Sequence, residues 1–115
     1  MTDTRIAVVH KHPGMEPKLV VVDNELHALQ TLVDGYIEIA CYFYGANGSR
    51  FAVVVDEEGM LKNKPNNIFY PYMIGLWKAL AGDVFIVRIE GEEFVDMDSE
   101  DLAYCFSWMK EQMSI

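Results

Sequence analysis

The chain is short of basic residues, of cysteine, and of any apolar run long enough to cross a bilayer. Each shortage removes a class of protein. There are 9 Lys and Arg against 18 Asp and Glu, a formal charge of −9, and no segment gathers the few cations into a patch. Binding to a phosphate backbone rests on Lys and Arg displacing counterions. Neither nucleic acid nor an anionic membrane surface is therefore an expected partner. The two cysteines, Cys41 and Cys105, cannot build a disulfide framework. Both fall in apolar stretches, where reduced and buried thiols are expected. The longest apolar stretch, residues 68–81, is interrupted by Pro71, Gly75 and Lys78 and is too short for a membrane span. The opening Met1-Thr2-Asp3-Thr4-Arg5 has neither the basic nor the apolar region of a secretory leader. A cytoplasmic protein is the expectation.

What the chain does have is enough apolar material for a core. Its 115 residues are 51% hydrophobic and 12% aromatic, which suits one small domain held together without staples. Residues 5–9 and 18–22 are rich in Val and Ile and read as strands, joined through a connection punctuated by Pro13, Gly14 and Pro17. Asp23 or Asn24 suits the cap of a helix running to about Val33, with Leu26, Leu29, Leu32 and Val33 on one face and Gly35 as its stop. Residues 36–44 alternate, with Ile37, Ile39, Cys41 and Phe43 on one side and Tyr36, Tyr42 and Tyr44 on the other. Asn47-Gly48 then turns the chain into a returning strand over residues 50–56. Residues 72–80 are a candidate short helix with Met73, Ile74, Trp77 and Leu80 inward, weakened by Gly75. Residues 84–89 read as a further strand, and a last helix begins with Asp98 as cap and Asp101 as its reciprocal partner. The expected fold class is α+β: a single small domain with a mainly antiparallel sheet and two or three helices.

Several strands are apolar on both sides. Val20 and Val22 oppose Leu19 and Val21, Val54 opposes Val53 and Val55, and Ile86 opposes Phe85 and Val87. Strands of this kind are normally covered on both faces. Two helices, each about 10 Å across, cover about four strands at about 4.8 Å spacing, and so close one face only. The other face calls for the third helix, a second subunit or a partner. Val20, Val22, Val54 and Ile86 are thus candidate interface residues, and a homodimer is an expected form.

The run Val20-Val21-Val22-Asp23-Asn24-Glu25-Leu26, followed by Ala28-Leu29-Gln30-Thr31-Leu32-Val33-Asp34-Gly35-Tyr36-Ile37-Glu38, resembles a family of short bacterial, phage and mobile-element proteins designated as a domain of unknown function. Its members carry a Pro-Gly turn, then L-x-x-L-Q-x-L-V-x-G-x-I-E, a hairpin, a P-x-N-R loop and a strand reading G-[TD]-x-[FV]-[IV]-V. Pro13-Gly14, Glu57-Glu58-Gly59-Met60-Leu61, Pro65-Asn66 and Gly82-Asp83-Val84-Phe85-Ile86-Val87 match these pieces, so the resemblance spans about residues 12–94. Asn67 departs from it, standing where many members have Arg. The resemblance carries no catalytic residues. It implies a setting in phages, plasmids and integrated elements, sometimes beside antirestriction genes.

Catalytic patterns are weak. His10 and His12 alternate toward one side, as two metal ligands would, but no third ligand stands at a useful spacing in the sequence, and exposed strand-end histidines are the expectation. Asp96, Asp98, Glu100 and Asp101 open like a calcium loop, yet Asp101 and Ser107 occupy the positions that need Gly and Glu; helix capping explains the same residues. No serine sits in a G-x-S-x-G elbow, and Gly45-Ala46-Asn47-Gly48 lacks the Lys-Ser of a phosphate loop. Two constellations remain. Tyr36, Tyr42, Tyr44, Tyr70 and Tyr72 are candidate binding residues, since tyrosine combines contact area with a polar handle. The acidic run Glu90, Glu92, Glu93, Asp96, Asp98, Glu100, Asp101 is a solvated face or a dock for a basic partner. The expected function is a non-enzymatic accessory protein of a phage or mobile element that binds a host protein, with counter-defence as one role. The alternative is a small-molecule or nucleotide-sequestering protein. No cofactor or metal is expected.

Overall fold

The structure is a computed structural model and describes residues 4–114, the side chains of residues 71–73, 113 and 114 lying outside the description. In chain order it comprises β1 (Arg5–Lys11), β2 (Lys18–Asp23), α1 (Leu26–Val33), β3 (Ile37–Tyr44) and β4 (Arg50–Asp56). There follow β5 (Asn66–Met73), β6 (Leu76–Ala81), β7 (Val84–Glu90), β8 (Glu93–Val95), α2 (Ser99–Glu111) and β9 (Met113–Ser114). The main sheet runs β2-β1-β7-β4-β3, with β8 against the end of β7; a smaller one runs β6-β5-β9. All these pairs are antiparallel. The fold is α+β, as the alternation of strand and helix patterns implied.

Both faces of the main sheet are covered within the chain except at edge strand β2, whose Leu19 and Val21 are each 49% exposed. On one face Leu29 and Val33 of α1 lie over Ile6, Val8, Ala52, Val54, Phe85 and Val87. On the other, Cys105 and Met109 of α2, Ile68 and Tyr70 of β5 and Leu80 of β6 lie over Val9, Phe51, Val53, Val84 and Ile86. A fully buried Val, Ile or Phe contributes about 2 kcal/mol by leaving water, so each layer is strongly stabilising.

Two sequence expectations are corrected here. Residues 72–80 form no helix: β5 and β6 make a hairpin, with Gly75 at φ +76° in its turn. The spacing of Ile74, Trp77 and Leu80 suited a helix, but Ile74 and Trp77 are exposed and only Leu80 is buried; Met73 lies outside the described side chains. Inward residues follow the two-residue strand period instead, with Ile68, Tyr70 and Leu80 buried. That hairpin, together with α2, closes the second face. Val54 and Ile86 are 0% exposed, and Val20 and Val22 are partly buried beneath the α1 layer. Val54 and Ile86 are core, which removes them as an exposed docking surface, while Val20 and Val22 are half-buried at the core's margin.

The resemblance motif is largely a device for seating α1. Its cap is Glu25, whose carboxylate accepts from the Ala28 N–H at 2.8 Å; Asn24 instead donates to the Phe94 carbonyl at 2.9 Å. At the other end Asp34, at φ 53°, takes the left-handed turn, and Gly35 follows it. Gly35 is needed for space rather than for φ: a Cβ there would stand 2.4 Å from the Asp56 carboxyl carbon. Asp56 Oδ2 lies 2.9 Å from Lys62 Nζ and 2.7 Å from Lys64 Nζ, and Oδ1 accepts from the Glu58 N–H at 2.9 Å. Burial alone would raise the Asp56 carboxyl, but the hydrogen bonds from Lys64, the Glu58 N–H and Lys62 outweigh it and hold it at about 2. Helix α1 has no basic residue in its last turn. Lys64 supplies the charge, donating to the Val33 carbonyl at 2.8 Å and the Asp34 carbonyl at 2.9 Å, where the helix dipole is negative.

Candidate functional site

Strand β3 controls where the tyrosines go. Its register against β4 slips between Ile39 and Cys41, which face Val54 and Val53 respectively. A bulge of this kind inserts one residue and reverses the alternation beyond it. Ile37 and Ile39 therefore join the α1 layer, whereas Cys41 and Phe43 join the α2 layer. Tyr42 and Tyr44 pair with Ala52 and Arg50, and both are exposed, with the Arg50 guanidinium 4.9 Å from the Tyr42 ring centroid. Tyr36 lies elsewhere, exposed on a shallow groove with His27, Gln30, Thr31, Asp34 and Lys62. Tyr70 is core at 5% exposure, its hydroxyl donating to the Ala40 carbonyl at 3.3 Å. The side chain of Tyr72 lies outside the described residues. The four described tyrosines, Tyr36, Tyr42, Tyr44 and Tyr70, do not form one cluster, because the bulge in β3 and the β5–β6 hairpin direct them to different places.

A cleft of about 600 Å³ lies beside the outer edge of β3. Ala40, Cys41, Tyr42 and Phe43 form one wall; Tyr70, Lys78, Trp108 and Gln112 form the rest. No described strand pairs with β3 on this side, since β3 ends the main sheet. Phe43 and Trp108 stack at 4.3 Å with an interplanar angle of 1°, which makes a flat apolar wall between sheet and α2. Lys78 is an exposed cation on the opposite lip. Its volume falls within the range of small-molecule and peptide-binding clefts. Tyr42 and Tyr70 were singled out from sequence; Trp108, Lys78 and Gln112 were not, since their convergence depends on the path of the hairpin.

The remaining sequence candidates separate by role. Burial pushes the Cys41 thiol up to about 11 and Cys105 to about 12, and both cysteines are free. Burial therefore disfavours the thiolate form of both. Much of the acidic run is used inside the chain. Asp101 pairs with Arg88 at 3.0 Å and completes a capping box with Asp98, while Glu90 takes the other side of Arg88 at 2.7 Å. Asp96 Oδ1 accepts from the Ala7 N–H at 2.8 Å and the Met97 N–H at 2.9 Å. Asn67, the departure from the resemblance motif, is fully buried. It bonds Lys11 Nζ at 2.6 Å and the carbonyls of Lys11 and Gly82 at 2.8 and 2.9 Å.

Of the two histidines, His12 is exposed just past the end of β1 as expected, whereas His10 is not. His10 is 8% exposed, and Asp83 Oδ2 stands 3.3 Å from His10 Nε2 and 2.8 Å from His12 Nδ1. His10 Nε2 also lies 2.9 Å from the Leu32 carbonyl at the end of α1. The third group that the local spacing lacked comes from the turn before β7, because β7 pairs with β1 and sets His10 opposite Phe85.

Fold and cleft together define an α+β domain whose antiparallel sheet is layered on both faces, with β2 and β3 as its edge strands and the cleft beside β3. Residues 5–111 match the family model described as domain of unknown function DUF3846, and the chain belongs to that family. No curated protein and no solved structure matches it. No helix among the described residues is long and apolar enough to cross a membrane.

Proposed function

We propose that the chain is a non-enzymatic binding protein that takes a segment of a partner protein into the cleft beside β3. The observation that carries this reading is the unpaired outer edge of β3 opening directly onto that cleft. A free edge offers backbone N–H and C=O groups to an added strand, and adjoining pockets then select its side chains. Here the Phe43–Trp108 wall offers apolar contact, and Lys78 and Gln112 offer polar anchors. The bulge at Ile39 and Cys41 limits regular pairing to the second half of the strand. The resemblance suggests the setting: an accessory protein of a phage or mobile element that engages a host protein, with counter-defence as one role.

A second reading, a small molecule or nucleotide in the same cleft, is favoured by its volume of about 600 Å³ and by Lys78 as a cation at the lip. Affinity capture from host cells separates the two when wild type is run beside Ala40→Arg and Lys78→Glu. A protein retained by wild type and lost by both folded variants supports the first reading. A small molecule released on denaturing the purified protein, with no protein retained, favours the second. Equal capture by all three chains would remove the cleft from either reading.

A further inference from the structure

We propose that His10, His12 and Asp83 form a binding site for one divalent transition-metal ion of the zinc class. The three ligand atoms lie within 4.8 Å of one another, the one such group of His, Cys, Asp and Glu among the described residues. They come from β1, the residue just after it, and the Gly82-Asp83 turn before β7, so the fold itself brings them together. Zinc binds imidazole nitrogen and carboxylate oxygen at about 2.0–2.2 Å, which places neighbouring ligand atoms about 3.3 Å apart. His10 Nε2 and Asp83 Oδ2 are 3.3 Å apart, and His12 Nδ1 and Asp83 Oδ2 are 2.8 Å apart. The ion therefore fits once the second pair opens by about half an ångström and the two histidine nitrogens, within 4.8 Å of each other, close toward the same separation.

The surroundings favour a cation of this kind. Two imidazoles and one carboxylate form a borderline-soft set, whereas calcium and magnesium take shells made of oxygen. The side chain of His10 is 10% exposed and that of Asp83 24%, while His12 is 48% exposed. The group is held from beneath and open on the His12 side, which leaves an entry route and a fourth coordination position. The Leu32 carbonyl, 2.9 Å from His10 Nε2, belongs to the C-terminal end of α1, where the helix dipole is negative. The Lys11 ammonium is engaged by Asn67 Oδ1 at 2.6 Å and by the His12 carbonyl at 3.4 Å.

The site stands apart from the cleft and is tested apart from it. Untagged protein is stripped with a chelator and titrated with zinc by calorimetry and thermal melting, and with cobalt(II) by visible absorption. One ion per chain, a melting temperature raised by several degrees and the visible bands of four-coordinate cobalt are expected. His12→Gln and Asp83→Asn should weaken binding by about tenfold or more. His27→Gln, which alters the third histidine, should bind as wild type does. The half-exposed position of His12 lets His12→Gln keep the fold, which the melting curve without metal verifies. No saturable zinc binding, or equal binding by folded His12→Gln, would overturn the proposal.

Discussion

The two faces of the main sheet are closed in different ways. On the α1 face the cover is a helix adjacent in sequence, fixed by the Asp56, Lys62 and Lys64 cluster at its end. On the other face the cover is assembled from distant pieces, α2 and the β5–β6 hairpin, and the join at the edge of β3 leaves a cleft of about 600 Å³. The resemblance motif falls almost wholly on the first face. Its Leu29 and Val33 are core, and its Gly35 makes room for Asp56. The motif thus encodes how the domain folds, while the open face carries the site proposed for function. A motif found from sequence is not by itself a pointer to chemistry.

The largest expected effect tests whether the α1 face is truly internal. Val54→Lys places an unpaired ammonium at a position 0% exposed and should destabilise the chain by about 4 kcal/mol or more in a urea titration. Val21→Lys, on the outward side of β2 at 49% exposure, should change stability by no more than about 0.5 kcal/mol. If Val54→Lys left stability unchanged and only altered association, that face would be a docking surface after all.

A smaller effect probes the cluster that closes the α1 face. The Asp56 carboxyl is lowered from 3.8 to about 2 on folding. A group lowered in the folded state adds stability that is complete above its unfolded value and lost as pH falls through its folded one. Asp56 should therefore contribute about 2 kcal/mol at neutral pH, lost between about pH 4 and pH 2. Asp56→Asn should be less stable by a similar amount at pH 7 and should flatten the acid limb of the melting curve. An unchanged limb would mean that the two lysines do not hold α1 in place.

Much of this architecture was legible in the residues. The strands at β1, β2, β3, β4 and β7 carry dense Val and Ile, Asn47-Gly48 marks their hairpin, and the Asp98–Asp101 capping box is present as read. What escaped has common causes. The β5–β6 hairpin was mistaken for a helix because Ile74, Trp77 and Leu80 satisfy a helical period by accident, and an outward Trp77 looks inward in sequence. The bulge at Ile39 and Cys41 divides an apparently uniform strand, so residues of like parity end on opposite faces. Val54 and Ile86 are buried, and the cover over them comes from the same chain. Asp83 could not be linked to His10 and His12 without the pairing of β1 with β7, a contact between residues far apart in the chain.

The central claim, that the edge of β3 receives a partner protein, is tested most directly by site-specific photocrosslinking in host cells. A photoreactive phenylalanine analogue in place of Tyr42, beside the cleft, is compared with the same group in place of Val21 on the opposite edge of the sheet. A discrete crosslinked protein from position 42, absent at position 21 and reduced by Lys78→Glu, is the expected result. A crosslink from position 21 alone, or none from position 42 in folded, expressed protein, would contradict it.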